Sequence, residues 1–509
     1  MLVHRFLETS ADRYPDHDAL VHLGERISYL DLEHRANRLA NTMLESGVKS
    51  GDRVAVLIDS SINYVIAYFA ILKAGAAVVA LNTVTTAKIV RNVLKDCRPS
   101  AVIVHEKRAA LLKEIIPELT ELKMVVVDGS VDSLENGHSS RTVALDDVFR
   151  SADPGRPGKD IRAGALASII YTSGTTGDPR GVMLSHLNLQ SNTDAIVEYL
   201  HLTHEDKVMA CLPFFYSYGN SLLLTHFRVG GTVVIDGRFA FPNVVLEVMS
   251  EEKVTGFSGV PSTFAILMHK SNFTKYNWDH LRYLTQAGGP MTPALTMKIT
   301  QAVPQVKIFI MYGQTEASAR LSYLEPDMLF EKIGSIGKAI PGVTLTVRDN
   351  GRVCQPGEVG EIVAQGDNIM MGYWNQPEAT AGVLKEDGLH TGDLALCDDD
   401  GYLFIVSRKS DMIKSGAHRI SPKEIEEALA EHDDIIESAV VGIPDEIMGE
   451  VIKAVVVLRS DSTATERDIL RHCQRSLPPF KVPKVIEFRN NLPKTASGKV
   501  RRHVLREAG

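Results

Sequence analysis

The chain has 509 residues, 55 of them Lys or Arg and 63 Asp or Glu, giving a formal net charge of −8. With 44% hydrophobic and 23% charged residues it reads as a folded globular protein of roughly two to four domains, not a disordered or fibrous one. The acidic balance argues against a dedicated nucleic-acid or anionic-membrane binder, which concentrates Lys and Arg on one surface.

Cys97, Cys211, Cys354, Cys397 and Cys473 lie far apart with no CxxC pair, a pattern of neither a disulfide framework nor a zinc site, and one that points to a reducing cytosol. Glu8 and Asp12 stand where a signal peptide needs an apolar run. The most apolar stretch, residues 65–81, is interrupted by Lys73 and Gly75. It is expected to be a buried helix followed by a strand at 77–81, with no membrane span.

In chain order, strands are expected at 53–58 (RVAVLI), 76–81, 101–104, 124–127 and 232–235, with helices at 64–72 and 243–251. Strands alternating with helices predict parallel sheets covered on both faces, and burial on both faces explains why these runs are continuously apolar. Residues 130–141 (SVDSLENGHSSR) read as a surface loop. After about residue 340 short strands at 343–348, 361–364 and 402–406, separated by Pro-Gly and Asn-Gly turns, predict an antiparallel, barrel-like region. A compact α+β unit follows, with helices at 422–431 and 466–476 and strands at 436–441, 452–458 and 485–488. The fold class is therefore α/β, with a large domain over 1–408 and a small one over 409–509.

The sharpest local signal is 171–182, YTSGTTGDPRGV, directly after the apolar run 165–170. Glycines let backbone N–H groups point at a phosphate, hydroxyls add donors, and Arg180 supplies a cation. No GxxxxGK[ST] spacing is present, so this is not a Walker A loop.

The string resembles the phosphate loop of the adenylate-forming superfamily, which includes acyl- and aryl-CoA synthetases, luciferases and carrier-protein adenylation enzymes. Further segments resemble that family's motifs in order: LPFFYSYG (212–219), QAGGPM (286–291), MYGQTEA (311–317), GEVGE (357–361), MGYW (371–374), HTGD (390–393), SRKSDMIKSGAHRISPKEIE (407–426) and NLPKTASGKVRR (491–502). The resemblance implies an ATP-dependent acid–thiol ligase that forms an acyl-AMP and then a thioester, with coenzyme A or a carrier-protein phosphopantetheine as acceptor. It implies ATP and Mg²⁺, a small fatty or aryl acid as substrate, and a monomer or homodimer.

By the same resemblance, Lys499, Glu316 and Thr315 are catalytic, with Glu316 and Thr176 toward the metal. ATP and AMP fall to Thr172, Ser173, Gly174, Thr175, Thr176, Gly177, Arg180, Gly288, Gly289, Pro290, Met311, Tyr312, Gly313, Asp393 and Arg408. The acyl pocket falls to Phe215, Tyr216, Asn220, Gly259 and Ala317, with Gly288 and Met311 also lining it. Ser415, Gly416 and Ala417 flank the thiol tunnel, and Ser410 marks the hinge.

Some positions depart from the family pattern. Arg180 replaces a usual Lys, a change that bidentate phosphate binding tolerates. Ser410 lacks the usual charge, and Ala417 replaces a usual Gly beside the tunnel. Tyr216 stands in place of a common His and is expected either to gate the pocket or to pack. Phe215 occupies the place of the Asp that binds an amino-acid ammonium, which disfavours α-amino acids. Arg320 is unusual: it is expected either to meet a second carboxylate or polar tail on the acid or to form a structural ion pair.

Overall fold

The strands expected to be continuously apolar form two large, mainly parallel sheets. A computed structural model describes residues 1–132, 134, 140–173, 179–416, 418–495 and 500–507. One sheet has eight strands: Leu166–Ser173, Ala77–Ala80, Arg53–Leu57, Ala101–His105, Met124–Asp128 and Arg141–Ala144 run parallel, and Pro179–Ser185 and Gly372–Tyr373 close its edge antiparallel. The other has nine, with Asp18–His22, Thr232–Ile235, Lys207–Ala210, Gly256–Gly259, Tyr283–Gln286 and Lys307–Tyr312 parallel. Antiparallel pairs flank them at both edges.

Helix Ile62–Lys73 buries every residue except Asn63 and packs on strands of both sheets, as an all-round apolar helix must. Its last residue is the lysine that interrupts the apolar run. Lys73 is 2% exposed, and its Nζ lies 2.7 Å from Glu8 and 2.9 Å from Glu33. Two carboxylates thus neutralise a charge that burial alone would not tolerate. The strand that follows ends at Ala80, so the expected helix–strand pair is present and no described helix is long and apolar enough to cross a membrane.

The expected antiparallel region is a six-stranded sheet containing Val343–Asp349, Gly360–Gly366, Gly388–Cys397 and Leu403–Arg408. Beyond it, a five-stranded sheet built around Ile435–Asp445 and Gly449–Leu458 packs on helices Pro422–Ala430 and Glu466–Ser476 around its own apolar core. Each strand edge lies within a few residues of its expected place. The loop expected at 130–141 falls partly outside the described residues, and Arg141 already opens a strand.

Candidate active site

The turn after strand Lys307–Tyr312 sets the site. Gly313 carries no side chain because the Ala319 carbonyl oxygen lies 2.1 Å from where its Cβ would be. Its approach folds 313–320 into a tight knot containing the 3₁₀ turn Thr315–Ala317. On one side of the knot, Tyr312 donates its hydroxyl to Asp393 Oδ2 at 2.7 Å. Arg408 Nε donates to the other oxygen at 2.8 Å, its strand placing it directly opposite Asp393.

Asp393 is 4% exposed and braced from behind. Thr391 Oγ1 donates to the Ile362 carbonyl at 2.9 Å and accepts from the Asp393 N–H at 3.2 Å. Gly392, at φ 75°, donates its N–H to Glu361 at 3.0 Å, and His390 bridges Glu361 and Asp387. Burial first, and then the Asp393 charge, push the Tyr312 phenol far above its usual range, so it stays a donor. The Asp393 carboxylate, more than any other influence, raises Arg408. The arrangement is a rigid acceptor at the end of a strand, with the chemistry to grip a pair of hydroxyls.

On the other side of the knot, Glu316 Oε1 accepts from the Tyr373 hydroxyl at 2.9 Å, and its second oxygen has no hydrogen-bond partner among the described residues. The Arg180 guanidinium lies 5.5 Å from the Tyr373 ring centroid. Burial, followed by Glu316, raises the Tyr373 phenol. Arg180 makes no ion pair among the described residues, so a cation and a carboxylate face the same space with capacity to spare. One carboxylate suits a hard cation that takes most of its oxygens from phosphate and water. No cluster of three His, Cys, Asp or Glu ligands exists among the described residues. Thr172 lies opposite Arg180 in the ladder that leads into the phosphate loop.

Thr315 Oγ1 is 3.3 Å from Ser217 Oγ at the start of helix Ser217–Val229. Phe215 and Tyr216 pack ring on ring, centroids 4.4 Å apart, just before that helix. Asn220, expected to line the acyl pocket, is tied to the Tyr68 hydroxyl at 3.1 Å. Gly259 has no room for a Cβ beside Thr263 and Phe264, and Ala317 is fully buried. Gly288 takes φ 86°, and the Gly289 carbonyl accepts from Gln286 at 2.8 Å, which fixes the turn ahead of Pro290. Met311 is buried, its sulfur accepting from Tyr199 at 3.0 Å and from Arg320 at 3.3 Å.

In the last sheet, Gly416 at φ 57° donates to the Met448 carbonyl at 2.8 Å, beside buried Ser415. Ser410 is exposed in the turn between strands. Gly174, Thr175, Thr176, Gly177, Ala417, Lys499 and the side chain of Ser173 lie outside the described residues. Tyr373 and Ser217 were not singled out from the sequence. Their signal was membership of the MGYW and LPFFYSYG segments.

Residues 7–374 match the AMP-binding enzyme family, and residues 424–499 match the AMP-binding enzyme C-terminal domain. A long-chain-fatty-acid–CoA ligase of Yersinia pestis is 33% identical across 98% of this chain and 93% of its own. A feruloyl-CoA synthase of an Amycolatopsis species is 34% identical across 96% and 94%. Among solved structures, the anthranilate CoA ligase AuaEII in complex with anthranoyl-AMP superposes with a TM-score of 0.92 at 28% identity, covering 100% of this chain and 97% of that one.

Proposed function

This chain belongs to the AMP-binding enzyme family, and from that premise we propose that it is an ATP-dependent acid–CoA ligase acting on a fatty or aryl carboxylic acid. In the first step a carboxylate oxygen attacks the α-phosphorus of ATP. A C(O)O–P bond forms and the bond to pyrophosphate breaks. In the second step the thiolate of coenzyme A attacks the acyl carbon; the C–S bond forms, the C–O bond to AMP breaks, and the thiol proton goes to solvent.

The observation that carries this reading is the knot at 312–320, which sets Asp393 on one side and Glu316 on the other. Asp393 takes the ribose hydroxyls, while Arg180 and the loop amides hold the phosphates that depart. Like charges must meet in the first step, so catalysis is mainly positioning and electrostatic stabilisation. Glu316, with Thr176, would hold Mg²⁺, which supplies charge neutralisation at the phosphates when bound. Lys499 contacts both the attacking carboxylate and the α-phosphate. Residues 409–509 act as a small mobile domain, turning about Ser410 to exchange Lys499 for the Ser415–Gly416–Ala417 loop between steps.

Acid-dependent ATP–pyrophosphate exchange tests the first step. Exchange should appear with fatty or aryl acids and fall at least ~100-fold in Lys499→Ala, the scale of one lost electrostatic contact to the transition state. Thioester formation with free CoA, compared with a phosphopantetheinylated carrier protein, tests the second. No exchange with any acid would sink the proposal.

A further inference from the structure

The knot at 313–320 is strained. Ser318 and Ala319 take φ 60° and φ 133°, two consecutive non-glycine residues in a region that L side chains avoid. Such a conformation persists only where its surroundings over-determine it. Two buried amides meet at its end: Asn192 and Asn368 each donate from Nδ2 to the Arg320 carbonyl at 2.9 Å. They are 2% and 1% exposed, and each leaves its Oδ1 without a hydrogen-bond partner among the described residues. An unpaired buried acceptor costs stability, and only the donor end of each amide offsets it.

There the likeness ends. The Asn192 side chain makes no other hydrogen bond among the described residues. Asn368 Nδ2 also donates to the Ala317 carbonyl at 3.3 Å, and the Asn368 carbonyl accepts from Ser318 Oγ at 2.8 Å. Gly366 makes room for it, since a Cβ there would sit 2.7 Å from Asn368 Oδ1. The residues that follow continue the grip. The Met370 N–H donates to the Glu316 carbonyl at 2.9 Å, and the Tyr373 hydroxyl donates to the Glu316 carboxylate at 2.9 Å.

The same stretch is fastened to the strand that carries Arg180. The Met371 N–H donates to the Met183 carbonyl at 2.9 Å, and Gly372 and Tyr373 pair with Met183 and Val182. The Trp374 N–H donates to the Gly181 carbonyl at 2.7 Å, next to Arg180, whose guanidinium lies against the Tyr373 ring. Residues 368–374 are thus bonded both to the turn holding Glu316 and to the strand holding Arg180.

We propose that 368–374 is a strap that sets the spacing between Glu316 and Arg180, and that Asn368 is the positioning residue locking it to the knot. The inference rests on the ligase reading above, in which those two charges receive ATP and its metal. It adds a residue whose own side chain bonds neither charge and acts through the backbone of 317–320.

The test compares Asn368→Ala with Asn192→Ala, which removes a bond of equal length to the same carbonyl. ATP binding to the full chain is measured by calorimetry without acid, in Mg²⁺ and in chelator. Wild type should bind ATP more tightly with Mg²⁺. Asn368→Ala should give up that gain by about 10-fold, the lower end of what lost outer-shell support of a metal ligand costs, with metal-free ATP affinity unchanged. In pyrophosphate exchange it should need more Mg²⁺ for half-maximal rate at an unchanged KM for the acid. Asn192→Ala should lower the melting temperature while keeping the gain. If Asn368→Ala does not fold, Ser318→Ala, which removes only the bond to the Asn368 carbonyl, should show the same loss at about threefold, the scale of one neutral hydrogen bond. A gain kept in both asparagine variants, or lost equally in both, overturns the inference, as does a wild type whose ATP affinity ignores Mg²⁺. Absence of exchange with any acid removes the ligase reading instead, because the binding comparison needs ATP alone.

Discussion

The nucleotide side and the acid side of the 312–320 knot are built on opposite terms. Around Asp393 every charge already has its partner: the carboxylate receives Tyr312 on one oxygen and Arg408 on the other. Around Arg320 the cation is buried with neutral neighbours only. The first arrangement balances its charges within itself, while the second holds a desolvated cation with neutral groups alone. Two neighbouring parts of one turn thus meet the cost of burying charge by different means.

The largest effect should come from breaking the complete side. Asp393→Ala removes the acceptor for two ribose hydroxyls, and kcat/KM for ATP should fall ~100-fold or more, about one charged hydrogen bond per hydroxyl. The Arg408 side chain is 49% exposed, so solvent screens its loss and the melting temperature should drop by only a few degrees, about 1 kcal/mol. ATP kinetics unchanged within threefold would remove Asp393 from the ribose site.

Tyr373→Phe comes next, removing the hydroxyl that donates to Glu316 beside Arg180. It should lower the exchange rate about 3–10-fold, the value of one hydrogen bond near the phosphates. An unchanged rate would mean that the two charges hold their places unaided.

Stability sharpens the contrast by sign. Replacing an unpaired buried cation by an apolar side chain of similar length is neutral or stabilising, so Arg320→Met should melt at or above wild type. A fall matching that of Asp393→Ala would show that the neutral neighbours of Arg320 already satisfy it.

The smallest effect is an expected flat line. Burial pushes His226 down to about 4, and burial raises Tyr199, Tyr218 and Tyr283, so none of these groups around Arg320 changes charge between pH 6 and 8. The imidazole resonances of His226 should therefore stay constant over that interval. Stability should not: His226 stays neutral in the fold but takes a proton near 6.5 when unfolded. Its contribution is complete above pH 6.5 and is lost as pH falls toward 4, at up to about 1.4 kcal/mol per pH unit. A His226 imidazole that titrates through pH 6–7 in the folded protein would show that its burial does not hold it neutral.

Much of this was legible in the sequence, for reasons specific to each part. Fully buried strands announce themselves as unbroken apolar runs, and the ordered motifs placed Asp393, Glu316 and Arg180 before any coordinates did. Tyr373 was not legible, since its bond to Glu316 spans 57 positions and no local pattern encodes it. Asn220 was expected in the pocket, and its amide bonds the Tyr68 hydroxyl, 152 positions away, a partner no local pattern names. Met311 was expected at both the nucleotide site and the acyl pocket; its sulfur is held by Tyr199 and Arg320. For Arg320 the sequence left a structural ion pair open, and only the geometry around it shows that no described carboxylate is there.

Arg408 is the last residue of its strand, and Asp411, three positions on, already faces Arg502 and Arg506 of the final helix at 3.6 and 3.8 Å. The chain can therefore be divided cleanly at one place. A break between Ser410 and Asp411 leaves Tyr312, Asp393 and Arg408 together on the leading fragment and keeps Asp411 with Arg502 and Arg506 on the trailing one, losing the Asp411 N–H bond to the Arg408 carbonyl at 3.0 Å. A break only eight residues earlier, after Tyr402, would strip the strand that carries Arg408 from its neighbour. For two-fragment complementation, the position of the cut decides whether the leading half keeps its grip on nucleotide.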